Sequence, residues 1–375
     1  MQNEKELFAR NLKRRRTELH FSQVRLAEKI MYTGKAISKW ESGLALPPAE
    51  VLPSLARALE TDLNSLFDFR ESPSYFLGID GGGTKTRFML TDRNGVVLKV
   101  LTLGACNPAS VGFDKCIAVL REGLKSVCGR IPYGKISVCG GIAGAGVGKN
   151  AKEMEFAFQE MGFSRLKICP DTDNIVSAGL EGRDGIIAIL GTGSIILAVE
   201  NGTRHRIGGY GHLIGDVFSG TEFGRSCLEA VFYDLDKSGR HTSMTGAVME
   251  KTGKSVPEIL TDIYSGGKIY IAGFAPVFFQ CAEEGDDVAL EILQRSIEKF
   301  AGMLAAAIRS FSFGTTKIPI VLAGGITNYS QDFLDRLIRK VPSERLESIS
   351  ILNRDPVVGA VLLAGAERVE EEKNA

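Results

Sequence analysis

The sequence has no long apolar run, no CxxC cysteine pair and no net charge. Without an apolar stretch of about 20 residues there is no candidate membrane-spanning helix, and the charged N-terminus has no signal-peptide core. The seven cysteines are scattered, which argues against both a disulfide framework and a zinc site. We therefore expect a cytoplasmic protein without membrane contacts, and its 375 residues suffice for two or three domains.

The zero net charge conceals an uneven distribution of charge along the chain. Residues 1–43 carry ten Lys/Arg against five Asp/Glu, so the remainder of the chain has five more negative than positive charges. A basic segment attached to an acidic body is typical of a nucleic-acid-binding module joined to another domain. The first part of the chain is therefore a candidate DNA-binding head.

The first seventy residues lack a strand pattern and are predicted to form consecutive short helices. The first is an amphipathic helix over residues 7–19. Ser22 and Thr33 are N-cap candidates for the next two, because a hydroxyl at that position can accept a hydrogen bond from a backbone N–H. The helix after Thr33 is predicted to end at Gly43. Two further helices are expected at about 48–59 and 62–67.

Residues 7–68 resemble the Cro/repressor-type helix-turn-helix family, on the strings SQVRLAEKI, AISKWESGLALP and LARALETDLNSLF. In that fold the second helix of the motif lies in the major groove of double-stranded DNA, so the resemblance implies a DNA-binding domain at 1–70. The implied DNA-contacting residues are Gln23, Thr33, Lys35, Ser38 and Lys39. Met31 departs from the family, which usually has a turn glycine there. The alternative is a helical dimerisation module without DNA binding.

The rest of the chain uses one strand–loop–strand plan twice. The first copy contains the string IDGGGTKT at 79–86 and an Asn-Gly hairpin turn at 94–95. The second contains GTGS at 191–194 and another Asn-Gly turn at 201–202. Glycines leave backbone N–H groups open to phosphate and permit positive φ. The two halves are therefore predicted to face a cleft in which both loops bind one polyphosphate.

This duplicated βββαβαβα plan is that of the actin-like ATPase and sugar-kinase superfamily. Residues 75–368 resemble more closely the N-acetylglucosamine kinases and the related BadF/BadG-type ATPases. The strings that carry this resemblance are IDGGGTKT, DGIIAILGTGSI, IGGYGHLIGD, IAGFAPVFFQCAEEGDDVA, VLAGGI and PVVGAVLLAG. The resemblance implies an α/β fold of two actin-like (ribonuclease H-like) domains facing an interdomain cleft, after the small all-α helix-turn-helix domain.

We expect the following boundaries for these domains. A polar, proline-containing linker spans 70–74. The first actin-like domain spans 75–183 and the second spans 184–355. A C-terminal helix at 356–370 is a candidate to return to the first of them.

The resemblance implies ATP and Mg²⁺ as cofactors and assigns roles to particular residues. Asp80 follows a strand, and a carboxylate there can hold magnesium beside the phosphates. Asp171 aligns with the family's catalytic aspartate, which takes the proton of a sugar hydroxyl. The alternatives are Asp173 as the base, or an N-cap role for either aspartate. The implied nucleotide- and phosphate-binding residues are Gly82, Gly83, Thr84, Lys85, Gly191, Thr192, Gly193, Gly324 and Gly325. The implied sugar-binding residues are Asn107, Asp171, Thr192, Gly193, Gly208, Gly209 and Asp216.

Three functions are compatible with this sequence. The first is an ATP-dependent kinase of an amino sugar such as N-acetylglucosamine, carrying a DNA-binding head. The second is a transcription regulator whose kinase-like body only senses a sugar or its phosphate; Val217, where the family usually has an acidic residue, favours it. The third, an activator of a radical dehydratase, has least support because no cysteine lies in a recognisable cluster-binding string. We expect a homodimer, since helix-turn-helix repressors usually pair to read two half-sites.

Overall fold

This computed structural model describes residues 4–19, 21–67, 73–312, 317–329, 332–342 and 344–370. The chain divides into two compact units, residues 1–73 and 74–375. Of the linker expected at 70–74, residues 70–72 lie outside the described residues. Within the described ranges, no helix is both long and apolar enough to cross a lipid bilayer.

The first unit is helical and packs around one apolar core. Its α-helices are α1 (Glu4–Glu18), α2 (Gln23–Lys29), α3 (Gly34–Glu41), α4 (Leu52–Ala58) and α5 (Leu63–Leu66). Leu26, Ile37 and Trp40 are buried in this core. A single 3₁₀ turn at Ala49–Val51 precedes α4, so the helix expected at 48–59 begins later than predicted. The cause is Pro48, whose extended backbone (ψ 148°) immediately precedes that turn.

Both predicted N-caps in the helix-turn-helix region are confirmed. Ser22 Oγ accepts a hydrogen bond from Arg25 N (3.1 Å). Thr33 Oγ1 accepts one from Ala36 N (3.3 Å). The start of α2 and the start of α3 are therefore fixed by hydroxyl side chains that satisfy otherwise unpaired backbone donors.

Met31 lies between α2 and α3 in the left-handed region, with a φ of 54°. An L-residue in this conformation is destabilised by about 1–2 kcal/mol, whereas glycine adopts it freely. The Met31 side chain is 92% exposed, so packing offsets little of that cost. The turn geometry thus explains why the helix-turn-helix family usually has glycine at this position.

The first sheet of the second unit has the strand order β3-β2-β1-β4-β5. Its strands are β1 (Tyr75–Gly81), β2 (Lys85–Asp92), β3 (Val97–Gly104), β4 (Ile136–Ile142) and β5 (Arg165–Pro170). The first three form an antiparallel meander, whereas β4 and β5 extend the sheet in parallel on the other side of β1. The helices of this half are α6 (Pro108–Val111), α7 (Phe113–Cys128), α8 (Asn150–Phe158) and α9 (Asp171–Leu180).

The second sheet has the order β8-β7-β6-β9-β10 and the same plan. Its strands are β6 (Gly185–Leu190), β7 (Ser194–Glu200), β8 (Thr203–Ile207), β9 (Ile318–Ala323) and β10 (Leu346–Ile351). The remaining helices are α10 (Gly220–Leu235), α11 (Met244–Thr252), α12 (Val256–Ala272), α13 (Ala275–Glu283), α14 (Asp287–Ser310), α15 (Asp332–Ile338) and α16 (Pro356–Leu363). Because both sheets begin with a meander and continue with two parallel strands, the predicted duplicated α/β fold is confirmed.

The C-terminal helix α16 packs against α9 and against strands β1, β2 and β4. Two glycines permit this close approach. A Cβ added at Gly78 would lie 2.6 Å from Val361 N, and one at Gly359 would lie 1.9 Å from Asn174 O. The chain thus returns to the first sheet after completing the second.

This returning helix is shorter than the sequence pattern predicted. The expected helix at 356–370 ends at Leu363, because Gly365 has a φ of 110° that an α-helix cannot contain. In the segment that follows, Glu370 N donates a hydrogen bond to Gly95 O (2.9 Å). The prediction of a helix to residue 370 was therefore wrong.

Candidate active site

The glycine loop between β1 and β2 is fixed by main-chain hydrogen bonds. Gly82 N donates to Lys85 O (2.9 Å), and Gly82 O accepts from Cys106 N (3.0 Å). A Cβ added at Gly83 would meet no atom within 4 Å, and Thr84 and Lys85 are exposed. Neither Gly82 nor Gly83 has a positive φ, so the loop does not use the left-handed conformation that glycine permits. These glycines provide unobstructed backbone instead.

The matching loop of the second sheet is fixed by the start of α10. Thr192 O accepts hydrogen bonds from Thr221 N (3.1 Å) and Thr221 Oγ1 (2.6 Å). Gly191 O accepts from Gly220 N (2.8 Å). The side chain of Thr192 is left exposed at the tip of the loop. The position of this loop is therefore coupled directly to that of α10.

Gly193 allows Asp216 to approach the second glycine loop. A Cβ added at Gly193 would lie 2.7 Å from Asp216 Oδ2, which is closer than a real Cβ can come. The other carboxylate oxygen, Oδ1, accepts from Gly211 N (3.1 Å). Asp216 therefore lies between this loop and the glycine-rich segment that follows β8.

That segment contains Gly208 and Gly209, both in the left-handed region with φ values of 69° and 70°. A Cβ at Gly209 would lie 2.9 Å from Ile195 Cβ, so only glycine fits against β7 at this point. Val217 follows Asp216 and packs its side chain against the core of the second sheet, while its carbonyl accepts from Ser194 Oγ (2.6 Å). The apolar residue at 217 thus serves the core.

Asp80, the penultimate residue of β1, is bound by Asn174 of α9. Asn174 Nδ2 donates to Asp80 Oδ1 (2.9 Å) and to Ile79 O (3.1 Å). Asn174 is fully buried, and its Oδ1 has no hydrogen-bond partner within the described chain. A Cβ at Gly141 would lie 2.2 Å from that oxygen, so the glycine of β4 makes room for the amide. Sequence reasoning missed Asn174, although it lies three residues after Asp171 on the same helix.

Sequence reasoning also missed Arg87 and Asp355, which lie close to Asp80. Arg87 is opposite Asp80 in the β1–β2 ladder and forms an ion pair with Asp355. Asp355 also caps α16, with Oδ1 accepting from Val357 N (3.0 Å). Burial raises the pKa of the Asp80 carboxyl, and the negative charges of Asp355 and Asp171 raise it further. The hydrogen bond from Asn174 and the charge of Lys85 act in the opposite direction.

Asp171 is the first residue of α9, and its neighbour Asp173 has a different environment. The N-cap of α9 is Pro170, so the alternative that either aspartate is the N-cap is wrong. Asp171 Oδ1 accepts from Thr172 N (3.0 Å). Burial raises the pKa of Asp171, against the lowering effect of its backbone hydrogen bonds. Asp173 instead forms an ion pair with Arg204 of β8.

Two further positions have clear local roles. Asn107 is the N-cap of α6, with Oδ1 accepting from Ala109 N (3.0 Å), so its oxygen is used within the local turn. Gly324 has a φ of 105°, and a Cβ there would lie 2.4 Å from Leu190 O. The end of β9 therefore touches the end of β6, and the neighbouring Gly325 faces open space.

No group of three or more metal-ligating side chains occurs in the described ranges. A half-buried carboxylate at the end of β1 nevertheless fits Mg²⁺, which in nucleotide sites usually takes one or two carboxylates and completes its shell with phosphates and water. Asp80 is such a carboxylate, and its orientation is fixed by Asn174.

In the first unit, the residues expected to contact DNA fall into two groups. Thr33, Lys35, Ser38 and Lys39 are exposed at and along α3. Gln23 Nε2 instead donates to Glu41 Oε2 (2.8 Å), the carboxylate that also binds Arg16. Gln23 is therefore engaged within the unit, and the exposed polar face belongs to α3.

Comparison with known proteins supports both units. The sequence profile of the BadF/BadG/BcrA/BcrD ATPase family matches residues 77–364, and a helix-turn-helix profile matches residues 12–66. An N-acetyl-D-glucosamine kinase of Dictyostelium discoideum is 31% identical over 314 residues, covering 78% of this chain and 98% of the relative. An N-acetylmuramic acid/N-acetylglucosamine kinase of Clostridium acetobutylicum is 29% identical over 303 residues, covering 78% and 99% respectively.

A solved structure from Chromobacterium violaceum is similar to the second unit. It is described as a candidate N-acetylglucosamine kinase and is 26% identical in sequence. The similarity covers 78% of this chain and all of that one, with a TM-score of 0.65. The fold of the second unit is thus found, together with sequence similarity, in a solved structure that this chain covers completely.

Proposed function

The chain belongs to the BadF/BadG/BcrA/BcrD ATPase family, and on that premise we propose that its second unit is an ATP-dependent kinase of an amino sugar. The relatives named as kinases of N-acetylglucosamine or N-acetylmuramic acid support this class of sugar. The observation that carries the proposal is the contrast at the start of α9. Asp173 is paired with Arg204, whereas Asp171 has a raised pKa and no ion pair within the described chain.

Asp171 is the proposed general base. Its raised pKa makes the ionised carboxylate a better proton acceptor at neutral pH than an ordinary aspartate. It takes the proton of the sugar hydroxyl while the hydroxyl oxygen bonds to the γ-phosphorus of ATP. The bond from that phosphorus to the β–γ bridging oxygen breaks, and ADP leaves. Asp173 is less suited to this role because its carboxylate is already engaged by Arg204.

The two glycine loops and Asp80 are the proposed nucleotide site. Gly82, Gly83, Thr84 and Lys85 would bind phosphates from the first sheet, and Gly191, Thr192 and Gly193 from the second. Asp80 would hold Mg²⁺, which neutralises charge on the phosphate oxygens when bound. Gly324 and Gly325 would lie against the adenosine, where the open space beside Gly325 leaves the backbone accessible.

Asp216 is the proposed anchor for sugar hydroxyls. Its Oδ1 accepts a hydrogen bond from Gly211 N, and its Oδ2 lies beside Gly193. One side chain therefore contacts both the glycine-rich segment after β8 and the glycine loop between β6 and β7. Gly208 and Gly209 would form the wall of that pocket. Asn107 would contribute its amide nitrogen Nδ2, because its oxygen Oδ1 already caps α6.

A coupled ADP-release assay with magnesium-ATP tests the proposal. The panel is N-acetylglucosamine, N-acetylmuramic acid, N-acetylmannosamine and glucose. We expect turnover with at least one N-acetylated sugar and much less with glucose. Saturable sugar binding by calorimetry without any ADP release would reject the kinase and support the alternative, a sugar-sensing regulator. The apolar Val217 favours that alternative, since its side chain lies in the core rather than presenting a carboxylate.

We propose for the first unit that it binds double-stranded DNA through the exposed face of α3. The opposite face of this helix, with Ile37 and Trp40, is buried, so the exposed Lys35 and Lys39 project on the side available to a ligand. We further propose that two copies pair to present two heads to two half-sites. Fluorescence anisotropy with a DNA duplex at several salt concentrations tests this. Lys39→Gln should weaken binding and reduce by about 1 the slope of the logarithm of the binding constant against the logarithm of the salt concentration. Arg57→Gln on α4 should change neither.

A further inference from the structure

A cavity of about 360 Å³ lies between α10 and α14, within the size range of small-molecule sites. None of the residues proposed for catalysis or for nucleotide or sugar binding lines it. Its walls come from one face of α10, one face of α14 and the segment around Gly239 and Arg240 that follows α10. The cavity therefore shares no lining residue with the proposed active site.

Cations outnumber carboxylates in the cavity lining. The cationic residues are Arg225, Arg240, Arg295 and Lys299, and the acidic ones are Glu222 and Glu229. Glu222 is already used within the fold, because its carboxylate accepts from Phe218 N and Ser296 Oγ. Arg240 is paired with Glu291, and Arg225 lies 3.8 Å from Glu229. The lining thus has a net positive charge even after its internal pairs are counted.

Arg295 and Lys299 form the least compensated part of this lining. They are one turn apart on α14, both are exposed, and neither forms an ion pair within the described chain. Like charges at this spacing on a helix repel each other. A doubly charged anion bound between them would remove that repulsion and accept charge-assisted hydrogen bonds from both.

Apart from Ser226 and Gly239, the remainder of the lining is apolar and aromatic. Tyr233, Val288 and Ile292 line the cavity together with Ala230. Val288 and Ile292 are on α14, on the same helix as the two uncompensated cations. A ligand that fills this cavity therefore has an anionic end for Arg295 and Lys299 and a carbon framework for the apolar wall.

We propose that this cavity binds a small phosphorylated metabolite as an effector. The phosphate contacts Arg295 and Lys299, and the organic body lies against Tyr233 and Ile292. Two cations match the charge of a phosphate monoester better than that of a carboxylate, which carries one charge. A phosphorylated sugar has the required size and a face that can pack on an aromatic ring.

The cavity is joined to the proposed active site by direct contacts. Arg225 Nη1 donates to His212 O (3.3 Å), in the segment between Gly209 and Asp216. The first residues of α10 hold the carbonyls of Gly191 and Thr192, as described above. Arg225 already lines the cavity, so an anion held by Arg295 and Lys299 also attracts its guanidinium and competes with its hydrogen bond to His212 O. Effector binding therefore changes the affinity of the cleft for sugar.

Isothermal calorimetry with glucose 6-phosphate and with inorganic phosphate, in the absence of ATP, tests the proposal on the full chain. We expect glucose 6-phosphate to bind wild type, and to bind the double variant Arg295→Gln/Lys299→Gln at least about tenfold more weakly. Arg309→Gln, which removes a cation of α14 outside the cavity, is the matched control and should bind as wild type does. Tyr233→Ala should weaken glucose 6-phosphate but leave inorganic phosphate unchanged.

Asp216→Asn distinguishes the cavity from the proposed sugar site. Retained glucose 6-phosphate binding in this variant supports the cavity, whereas its loss, with normal binding by the double variant, would overturn the proposal. Absence of binding to wild type, or equal affinities for glucose 6-phosphate and inorganic phosphate, would also overturn it. None of these measurements requires turnover, so a failed kinase assay leaves them interpretable.

Discussion

Asn174 Nδ2 lies 2.9 Å from Asp80 Oδ1 and joins the end of β1 to α9. Asn174 is three residues after Asp171, so the same helix carries the proposed base and the residue that orients the proposed magnesium ligand. The amide is fully buried and also donates to Ile79 O, which leaves it little freedom to rotate. Helix α9 thus carries the proposed base and, through Asn174, also fixes the orientation of the proposed magnesium ligand.

Replacing this amide with a carboxylate tests its role. In Asn174→Asp a negative charge replaces the donor to Asp80, which raises the pKa of Asp80 further above its ordinary range. Magnesium binding needs the ionised form, so the acidic limb of the pH–rate profile should move to higher pH. The Mg²⁺ concentration for half-maximal turnover should rise about tenfold or more, as is usual when a residue that orients a metal ligand is lost.

Asn150→Asp is the matched control for that experiment. Asn150 Nδ2 donates to Gly144 O (2.9 Å), so this substitution also replaces a hydrogen-bonding amide with a carboxylate. Its magnesium dependence and pH profile should match those of wild type. Equal shifts in both variants would show a general effect of the added charge and contradict the assigned role of Asn174.

Gly193 and Gly191 offer a matched pair of substitutions in one loop. The Cβ of Gly193→Ala would lie 2.7 Å from Asp216 Oδ2, whereas that of Gly191→Ala would have its nearest neighbour, Gly193 O, at 3.8 Å. Gly193→Ala must therefore displace Asp216, and we expect the Kd for sugar to rise about tenfold or more. Gly191→Ala should change it little. Calorimetry with the preferred sugar measures both, and equal affinities would argue against Asp216 as the sugar anchor.

The buried charge of Asp171 should lower the stability of the fold at neutral pH. Burial raises the pKa of Asp171 above its ordinary 3.8. A carboxyl group whose pKa is raised by folding favours the folded state below its unfolded pKa, and this contribution is lost as pH rises through the folded pKa. Asp171→Asn keeps an oxygen for Thr172 N but never ionises. We expect it to unfold at a higher temperature than wild type at pH 7, with a difference that shrinks as pH falls.

Thermal unfolding from pH 8 down to about pH 3.5, just below the ordinary pKa of aspartate, measures this difference. Asp173→Asn serves as the comparison, because it removes the ion pair with Arg204 and should be destabilising at pH 7. A stabilising effect of Asp171→Asn that does not depend on pH would mean that the burial of its charge is not the cause.

Met31→Gly should increase the free energy of unfolding of the first unit by about 0.5–1 kcal/mol. The gain is the relief of the left-handed strain, reduced by the greater conformational entropy of glycine in the unfolded chain. Trp40 is the single tryptophan of the chain and lies in the core of this unit, so its fluorescence reports unfolding of that unit alone. The urea midpoint of Met31→Gly should exceed that of wild type. Met31→Ala keeps an L-residue at the strained position and should show no comparable gain.

Features set by neighbouring residues were predictable from the sequence. The N-caps at Ser22 and Thr33 depend only on a hydroxyl three residues before a backbone donor. The Asn-Gly turn at 201–202 has positive φ at both residues, as a tight hairpin of these residue types requires. Repetition of this local plan was enough to predict two similar sheets.

Features set by distant residues were not predictable in this way. Arg87 and Asp355 are 268 residues apart, and only the return of α16 to the first sheet brings them together. Asn174 and Asp80 meet because Gly141 leaves room for the amide, which no local pattern indicates. The hydrogen bond from Gln23 of α2 to Glu41 of α3 likewise depends on how the two helices pack.

Comparing Asp171→Asn with Asp173→Asn in the ADP-release assay decides whether Asp171 is the general base. We expect Asp171→Asn to lower kcat by about 10²–10⁴-fold, the usual contribution of a general base, while sugar binding persists. Asp173→Asn should stay within about tenfold of wild type, because its main contact is the ion pair with Arg204. Full activity of Asp171→Asn, or a greater loss in Asp173→Asn than in Asp171→Asn, would contradict the account.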